Sequence, residues 1–121
     1  MVIAVGVDIV EVARIRAVLA RHGQRFLDRI FTPAEQVHCG RRVPCLAARW
    51  AAKEAVSKAL GCGIGDVAWK EIEILPDKRR MPVLQLGGRA ARLAAEQGIR
   101  GWAVSLSHAQ EYAVAFVVAW R

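Results

Sequence analysis

The sequence contains no long apolar run. Although 55% of its 121 residues are hydrophobic, no segment approaches the roughly 18 consecutive apolar residues that a membrane-spanning helix needs. We therefore expect no membrane partner. We expect the surplus of apolar side chains to be buried in a core or between subunits.

Cysteine is scarce in the chain. Cys39, Cys45 and Cys62 are odd in number and form no C-x-x-C pair, which argues against both a disulfide framework and a zinc ribbon. His38 precedes Cys39 and suggests half of a metal site, but reduced structural cysteines are the simpler interpretation. We expect three reduced cysteines.

Repeats, low-complexity tracts and linkers are also absent. A length of 121 residues suits one hydrophobic core, so we expect a single domain spanning residues 1–121. The opening segment "MVIAVGVDIV" has no basic leader and includes an acid at Asp8. This pattern predicts no signal peptide and a cytoplasmic location.

Acidic residues are outnumbered by basic ones, 11 against 18, which gives a net charge of +7. Such a charge predicts an anionic partner. Nucleic acid, an acidic protein and a phosphorylated small molecule all remain open on this ground. The chain has no zinc finger, basic zipper or aromatic RNA-binding signature, so we expect no nucleic acid as a partner.

Hydrophobic periodicity predicts an α+β domain with a mainly antiparallel sheet packed against a long central helix. "VIAVGVDIV" predicts a strand buried on both faces, followed by a helix from about Val12 to Arg25. A short helix should begin after Thr32, with Glu35 completing the cap. The longest helix is expected from about Cys45 to Leu60. Four more strands and one helix are expected at "WKEIEIL", "VLQL", "GWAVSLSH", "YAVAFVVAW" and "GRAARLAAEQG".

Two carboxylates occupy unusual positions. Asp8 interrupts a strand of Val and Ile, where an ionised acid is costly unless it is paired or binds a cation. Glu54 shares a helical stripe with the small residues Ala47 and Ala51 and with Lys58, which leaves room for a ligand. Two ordinary interpretations fit the same pattern. Asp8 is then an acid at a strand end in water, and Glu54 and Lys58 are a surface ion pair one helical turn apart. If a metal binds these two carboxylates, the lack of a convincing His or Cys partner favours a hard cation such as Mg²⁺, which also takes phosphate oxygens as ligands.

Positive side chains accompany these carboxylates. The long helix carries Arg49, Lys53 and Lys58, and the "GCGIG" segment after it would let the backbone approach a phosphate. Near the C-terminus, His108 suits phosphate contact better than nucleophilic catalysis, because no G-x-S-x-G elbow is present. A basic stripe without interleaved acids follows Asp8, and it is typical of either an anionic docking surface or a solvated basic face. The basic stripe consists of Arg14, Arg21 and Arg25.

The segments "GVDIVEVARI", "RWAAKEAVSKALGCGIG" and "SLSHAQEYAVAFV" together resemble the holo-acyl-carrier-protein synthases, the small bacterial type of 4′-phosphopantetheinyl transferase. The resemblance covers nearly the whole chain. It implies transfer of the phosphopantetheine arm of coenzyme A to a serine hydroxyl of apo acyl carrier protein, with release of adenosine 3′,5′-bisphosphate. It further implies a role in fatty-acid or polyketide synthesis, Mg²⁺ as cofactor, and homotrimers with active sites between subunits.

The resemblance also assigns roles to residues. Asp8 and Glu54 would bind Mg²⁺, and Glu54 and Lys58 would be the catalytic residues, with Lys58 stabilising charge on the leaving group. The basic stripe would meet the acidic carrier protein. The acceptor of the serine proton stays open between Glu54 and a Mg²⁺-bound water. Contacts to coenzyme A would come from Arg49, Lys53, Lys58, Gly61, Pro82 and His108.

Two positions depart from the family pattern. Cys62 stands where threonine is usual, and Arg80 stands where glycine is usual, two residues before Pro82. We expect the first change to alter a hydrogen bond near the phosphates and the second to alter a turn. The expected metal ligands are unchanged, which argues against an inactive homologue.

Overall fold

The computed structural model describes residues 1–121. It confirms the expected α+β class, with five strands, five α-helices and one short 3₁₀ turn at Trp69–Glu71. The strands are β1 (Val2–Glu11), β2 (Ile72–Pro76), β3 (Pro82–Leu86), β4 (Gly101–His108) and β5 (Tyr112–Trp120). The helices are α1 (Val12–His22), α2 (Gln24–Ile30), α3 (Pro33–Cys39), α4 (Val43–Ala59) and α5 (Gly88–Glu96). None of these helices combines the length and apolar character needed to span a bilayer.

All strand pairs are antiparallel, and they form two sheets. The larger sheet has the order β1-β5-β4, and β2 and β3 form a separate hairpin. Helix α4 packs across β1 and β5, and eleven of its 17 residues are buried. This burial on nearly every side confirms the expected central helix, and it explains why its sequence is so rich in alanine.

A close contact between β1 and α4 fixes the distance between sheet and helix. A Cβ atom added to Gly6 would overlap the backbone carbonyl of Ala55, so only glycine allows this approach. Ala47 and Ala51 are fully buried in the same core. The expectation that these alanines leave room for a ligand is therefore wrong, because the space beside them is filled by the core.

The expectation that β1 is buried on both faces is also wrong. Val5, Val7 and Ile9 are 54%, 52% and 62% exposed, whereas Val10 is buried. One face of β1 packs on α4 and the other is uncovered in the protomer. A continuous apolar run does not distinguish a strand covered on both faces from one whose second face lies on the surface.

The helix expected from Val12 to Arg25 is divided in two. Gly23 has a φ of 54°, and its N–H donates to the carbonyl of Leu19 at 2.8 Å. This conformation ends α1 and turns the chain into α2, as glycine commonly does at a helix end. Arg25 therefore lies on α2 and not on the helix that carries Arg14.

The expected cap of α3 is confirmed. The Glu35 N–H donates to Thr32 Oγ1 at 3.2 Å, and the Thr32 N–H donates to Glu35 Oε1 at 2.9 Å. These reciprocal bonds form a capping box.

Arg80 lies in a turn, and its φ of 66° is the only positive value at a residue other than glycine. The backbone conformation of this turn thus favours the glycine that the family pattern places there.

The expectation of three reduced cysteines is wrong. Cys39 and Cys45 form a disulfide with a Cα–Cα distance of 5.5 Å, and only Cys62 is free. The short turn between α3 and α4 brings the two sulfurs together. Cysteine count and spacing carried no sign of this pairing, because it depends on the angle between two helices.

Candidate functional site

An ion pair joins the inner face of β1 to the end of α4. Lys58 Nζ donates to Asp8 Oδ1 at 3.1 Å and to the backbone carbonyl of Val7 at 3.0 Å. The side chain of Lys58 is 54% exposed and that of Asp8 is 18% exposed. Lys58 is therefore bound to the strand, and the interpretation of Glu54 and Lys58 as an ordinary pair along the helix surface does not describe this contact.

Glu54 faces the same region from α4. Burial raises the pKa of Glu54, and the negative charge of Asp8 raises it further, while Lys58 and Arg14 act in the opposite direction. The structure thus brings the two predicted carboxylates into electrostatic contact around Lys58. The two carboxylates repel each other when both are ionised, and a divalent cation bound to both would relieve that repulsion. A donor set of two carboxylates without His or Cys suits a hard ion such as Mg²⁺.

Lys53 lies inside the protein, although it immediately precedes Glu54. Its side chain is fully buried in an ion pair with Glu35 Oε1 at 2.7 Å. The ammonium also donates to the carbonyls of Ile72 and Trp69, at 2.6 and 3.0 Å. Burial lowers the pKa of Lys53, and Glu35 opposes this shift. With three acceptors the ammonium group has no donor left for a ligand.

Glu35 is the residue whose role the sequence interpretation missed. One carboxylate oxygen holds Lys53 and the cap of α3, and the other accepts the N–H of Ile74 at 2.9 Å. Its assignment as a helix cap explained the carboxylate fully, so nothing in the sequence called for a second partner. The geometry shows that Glu35 connects α3, α4 and β2.

Arg49 is similarly engaged within the protomer. It is 7% exposed, and its guanidinium donates to the carbonyl of Ile74 at 3.3 Å and to Cys45 Sγ at 3.5 Å. Burial lowers the pKa of Arg49. The structure therefore places Arg49 and Lys53 behind α4, on the side away from the exposed Lys58.

The remaining predicted coenzyme contacts lie apart from the carboxylates within one protomer. His108 ends β4, and the sheet register places it beside Ala113 of β5, which in turn pairs with Val10 of β1. Two strand spacings, about 10 Å, separate β4 from β1. Pro82 begins β3 in the other sheet. No hydrogen bond joins either residue to the carboxylate pair.

The basic stripe lies on the surface of α1 and α2. All three of its arginines are exposed, and the Arg14 guanidinium lies 5.8 Å from the centre of the Trp50 ring. Arg25 lines a cavity of about 450 Å³ together with Phe26, Trp50 and Trp69. This end of the molecule thus combines positive charge with an aromatic pocket, a feature the sequence interpretation missed because its residues come from three separate segments.

A second cavity of about 570 Å³ lies beyond the end of α4. It is lined by Gly61 and Cys62 from the loop after α4 and by Arg89 and Arg92 from α5. Burial is the main cause that raises the pKa of Cys62. Sequence reasoning did not single out the two arginines, although their spacing places them on one face of the helix. Asp66 and Glu96 line it as well, so the Gly61 contact predicted for coenzyme A belongs to a cavity that holds charges of both signs.

One more group of potential metal ligands lies outside this site. His38, Cys39 and Cys45 place their ligand atoms within 4.8 Å of one another. The two sulfurs are bonded to each other, so they do not offer two thiolates to an ion. Burial and the charges of Arg49 and Arg42 lower the pKa of His38.

Comparison with known proteins places this arrangement in a family. Residues 4–117 match the model of the 4′-phosphopantetheinyl transferase superfamily. The holo-[acyl-carrier-protein] synthase of Herpetosiphon aurantiacus is 49% identical over 120 aligned positions, and the alignment covers 93% of this chain and 94% of that protein. The corresponding protein of Dehalococcoides mccartyi is 52% identical over 114 residues, with coverage of 94% and 95%.

Solved structures agree with these sequence relationships. The holo-[acyl-carrier-protein] synthase of Neisseria meningitidis superimposes with a TM-score of 0.90 at 38% identity and covers both chains fully. The Helicobacter pylori enzyme, solved in complex with coenzyme A, gives a TM-score of 0.87 at 32% identity over 96% of this chain and 99% of that chain. Sequence and fold together show that this chain belongs to the 4′-phosphopantetheinyl transferase superfamily.

Proposed function

We propose that this chain is a holo-acyl-carrier-protein synthase. It transfers the phosphopantetheine arm of coenzyme A to a serine hydroxyl of apo acyl carrier protein and releases adenosine 3′,5′-bisphosphate. The observation that carries this conclusion is the Asp8–Lys58–Glu54 arrangement on a fold shared along its full length with a solved holo-[acyl-carrier-protein] synthase. The product carrier would serve fatty-acid or polyketide synthesis.

Asp8 and Glu54 are the proposed ligands of Mg²⁺. The raised pKa of Glu54, caused by burial and by Asp8, supports this role because a divalent cation would relieve the repulsion between the carboxylates. When bound, Mg²⁺ would supply positive charge to the diphosphate of coenzyme A. Thermal denaturation with and without Mg²⁺ tests binding independently of catalysis.

Lys58 is the proposed partner of the diphosphate. Its side chain is half exposed, and its ammonium is anchored on Asp8 and on the Val7 carbonyl, so it is held in place with its remaining hydrogen free for a phosphate oxygen. Phosphoryl transfer depends mainly on alignment of the incoming and leaving oxygens and on stabilisation of charge. Lys58 would stabilise the charge that develops on the leaving bisphosphate. The serine proton has two possible acceptors, Glu54 and a water molecule beside it.

The other coenzyme contacts are proposed to combine two copies of the chain. Gly61 lines a cavity with Arg89 and Arg92, whereas His108 and Pro82 lie on other strands, away from the carboxylates. Contacts from neighbouring subunits would complete the pocket. Arg49 and Lys53 are occupied inside the protomer, so their contribution to coenzyme A binding would come through the placement of α4.

The uncovered face of the larger sheet supports self-association. Val5, Val7 and Ile9 of β1 and Phe116 of β5 are between 45% and 62% exposed, and the register places Val7 opposite Phe116. A contiguous exposed apolar face of this kind marks an interaction surface. We assign it to further copies of this chain, in the homotrimer that the family resemblance implies.

The acidic carrier protein is proposed to dock on the basic stripe. Arg14, Arg21 and Arg25 are exposed, and no ion pair within the chain occupies them. Arg14 also contributes to the electrostatics of Glu54, so the stripe extends to the proposed reaction centre. The aromatic cavity beside Arg25 would accept an apolar side chain of the carrier, which favours a protein ligand over a free anion.

The test is a transfer reaction followed by mass spectrometry. Purified protein, coenzyme A, Mg²⁺ and apo acyl carrier protein should yield a carrier heavier by one phosphopantetheine group. The Glu54→Gln variant should lose activity by orders of magnitude, because it removes one charged ligand, while it remains folded. An unchanged carrier mass with folded wild-type protein would contradict the proposed function, and wild-type turnover by Glu54→Gln would contradict its role.

A further inference from the structure

The disulfide lies at the junction of α3 and α4, outside the proposed transfer chemistry. Cys39 is the last residue of α3, and Cys45 lies in the first turn of α4. The bond between them closes a loop that contains Gly40 to Pro44. The two sulfurs have different surroundings, and this difference bears on how the bond is made and broken.

Access to the two sulfurs is unequal. Cys39 is 1% exposed and belongs to the hydrophobic core, whereas Cys45 is partly exposed. Thiol–disulfide exchange requires an incoming thiolate to reach one sulfur along the axis of the bond. A thiolate from solution therefore meets the sulfur of Cys45.

The charges around the two sulfurs are also unequal. Arg49 Nη1 donates to Cys45 Sγ at 3.5 Å, and Arg42 Nη2 donates to it at 3.9 Å. The N-terminal turn of α4 adds the positive end of a 17-residue helix. A thiolate is stabilised by such cations and by a helix N-terminus. Cys39 has an apolar environment and no comparable donor, so negative charge resides preferentially on Cys45.

We propose that Cys39 and Cys45 form a thiol–disulfide exchange site for small thiols and disulfides, with Cys45 as the reactive sulfur. In the reducing direction, a thiolate attacks Cys45 Sγ and forms a mixed disulfide. The S–S bond breaks with its electron pair on Cys39 Sγ, which takes a proton from water as it leaves and ends as the neutral thiol that its apolar environment favours. A second thiolate attacks the outer sulfur of the mixed disulfide. Cys45 then leaves as a thiolate beside Arg42 and Arg49. One protein disulfide and two small thiols thus become one protein dithiol and one small disulfide.

The first experiment counts thiols in the complete protein. The protein is equilibrated in buffers with graded ratios of reduced to oxidised glutathione, alkylated in denaturant so that the buried Cys39 is also reached, and weighed by intact mass spectrometry. We expect the number of alkylated cysteines to change from one to three in a joint step as the ratio becomes reducing. A count that stays at one throughout would show a fixed cross-link, and a count of three throughout would show no pair. Either result would overturn the proposal.

Serine variants test the inequality of the two sulfurs. In Cys39→Ser the partly exposed Cys45 should form a mixed disulfide with oxidised glutathione, whereas in Cys45→Ser the buried Cys39 should remain a free thiol. The matched control Cys62→Ser should lower the alkylation count by one and leave the midpoint unchanged. Circular dichroism checks that each variant is folded. The thiol count of the wild-type protein tests the proposal even where a variant does not fold. Equal reactivity of Cys39 and Cys45 would contradict the assignment of Cys45. None of these readouts depends on the transferase reaction.

Discussion

At the scale of single residues, Glu54 carries a conflict that the fold creates. Burial and the neighbouring Asp8 both disfavour its ionised form and so raise its pKa. In the unfolded chain the same carboxyl ionises in water without that penalty. The folded, metal-free protein therefore loses stability as the pH rises through the range in which Glu54 ionises.

The first prediction concerns this conflict. Without divalent cations, Glu54→Gln should be more thermally stable than the wild type at neutral pH, because glutamine has no charge to bury. The gain should vanish below a pH of about 4.3, the usual pKa of glutamate, because Glu54 is then protonated in both the folded and the unfolded protein. Melting temperatures measured across this pH range check it.

Magnesium and a control substitution sharpen that measurement. Mg²⁺ should raise the melting temperature of the wild type more than that of Glu54→Gln, because the variant lacks one proposed ligand. The exposed Glu11 lies on the same strand as Asp8, and Glu11→Gln should respond like the wild type. Equal Mg²⁺ effects in the wild type and Glu54→Gln would remove Glu54 from the metal site.

The second prediction concerns the buried pair of Lys53 and Glu35. Lys53→Met should destabilise the protein by about 3–5 kcal/mol, because it leaves Glu35 charged and unpaired in the core. Urea denaturation measures the loss. In the double variant Lys53→Met with Glu35→Gln no charge is left unpaired, and the amide oxygen still accepts a backbone N–H. The double variant should recover much of the stability, and a further loss instead would show that the carboxylate itself is required.

At the scale of elements, the contact between β1 and α4 determines the geometry of the site. These two elements carry Asp8 on one side and Glu54 and Lys58 on the other. Gly6 lets them meet at backbone contact. The position of the carboxylates relative to each other therefore depends on a residue that has no side chain of its own.

The third prediction tests this dependence. Gly6→Ala should destabilise the protein by about 1–3 kcal/mol or more, since the new methyl group forces helix and sheet apart. It should also lower the rate of transfer, because Asp8 moves away from Glu54. The matched control is Gly87→Ala, where a Cβ meets no atom within 4 Å. Denaturation and transfer assays measure both effects, and wild-type stability in Gly6→Ala would show that the contact tolerates a side chain.

The sequence predicted the elements well where one local signal was sufficient. Thr32 and Glu35 identified the start of α3, and the alternating segments identified the hairpin and the last two strands. Gly23 was not recognised as a break, because the apolar periodicity continues across it with Phe26 and Leu27. The disulfide was missed because its formation depends on the turn between α3 and α4.

The candidate site was predictable in its carboxylates but not in its cations. Asp8 and Glu54 stood out because their types are unusual in their segments. Lys53, Lys58 and Arg49 occur within ten residues on one helix, yet only Lys58 reaches the exposed site. Which of the three cations is buried depends on the elements that pack against each side of α4, and helix periodicity alone does not predict those elements.

At the scale of the whole molecule, the larger sheet has one face in the core and one on the surface. The fourth prediction concerns the surface. Val7→Asp should shift the protein to the monomer, because a charge on the apolar face opposes burial between copies. Light scattering after gel filtration gives the mass. The matched control is Val37→Asp on α3, where the side chain is 87% exposed and no change is expected. An unchanged mass for Val7→Asp would exclude this face as the interface.

Adjacent residues of β1 serve two purposes, because the strand alternates its side chains. Asp8 points to α4, and its neighbours Val7 and Ile9 point outward. If copies assemble through that outer face, dilution should lower the catalytic activity as well as the molecular mass of the assembly. The specific activity would then fall as the enzyme is diluted below its dissociation constant, and progress curves started from a dilute stock would show a lag while subunits reassociate.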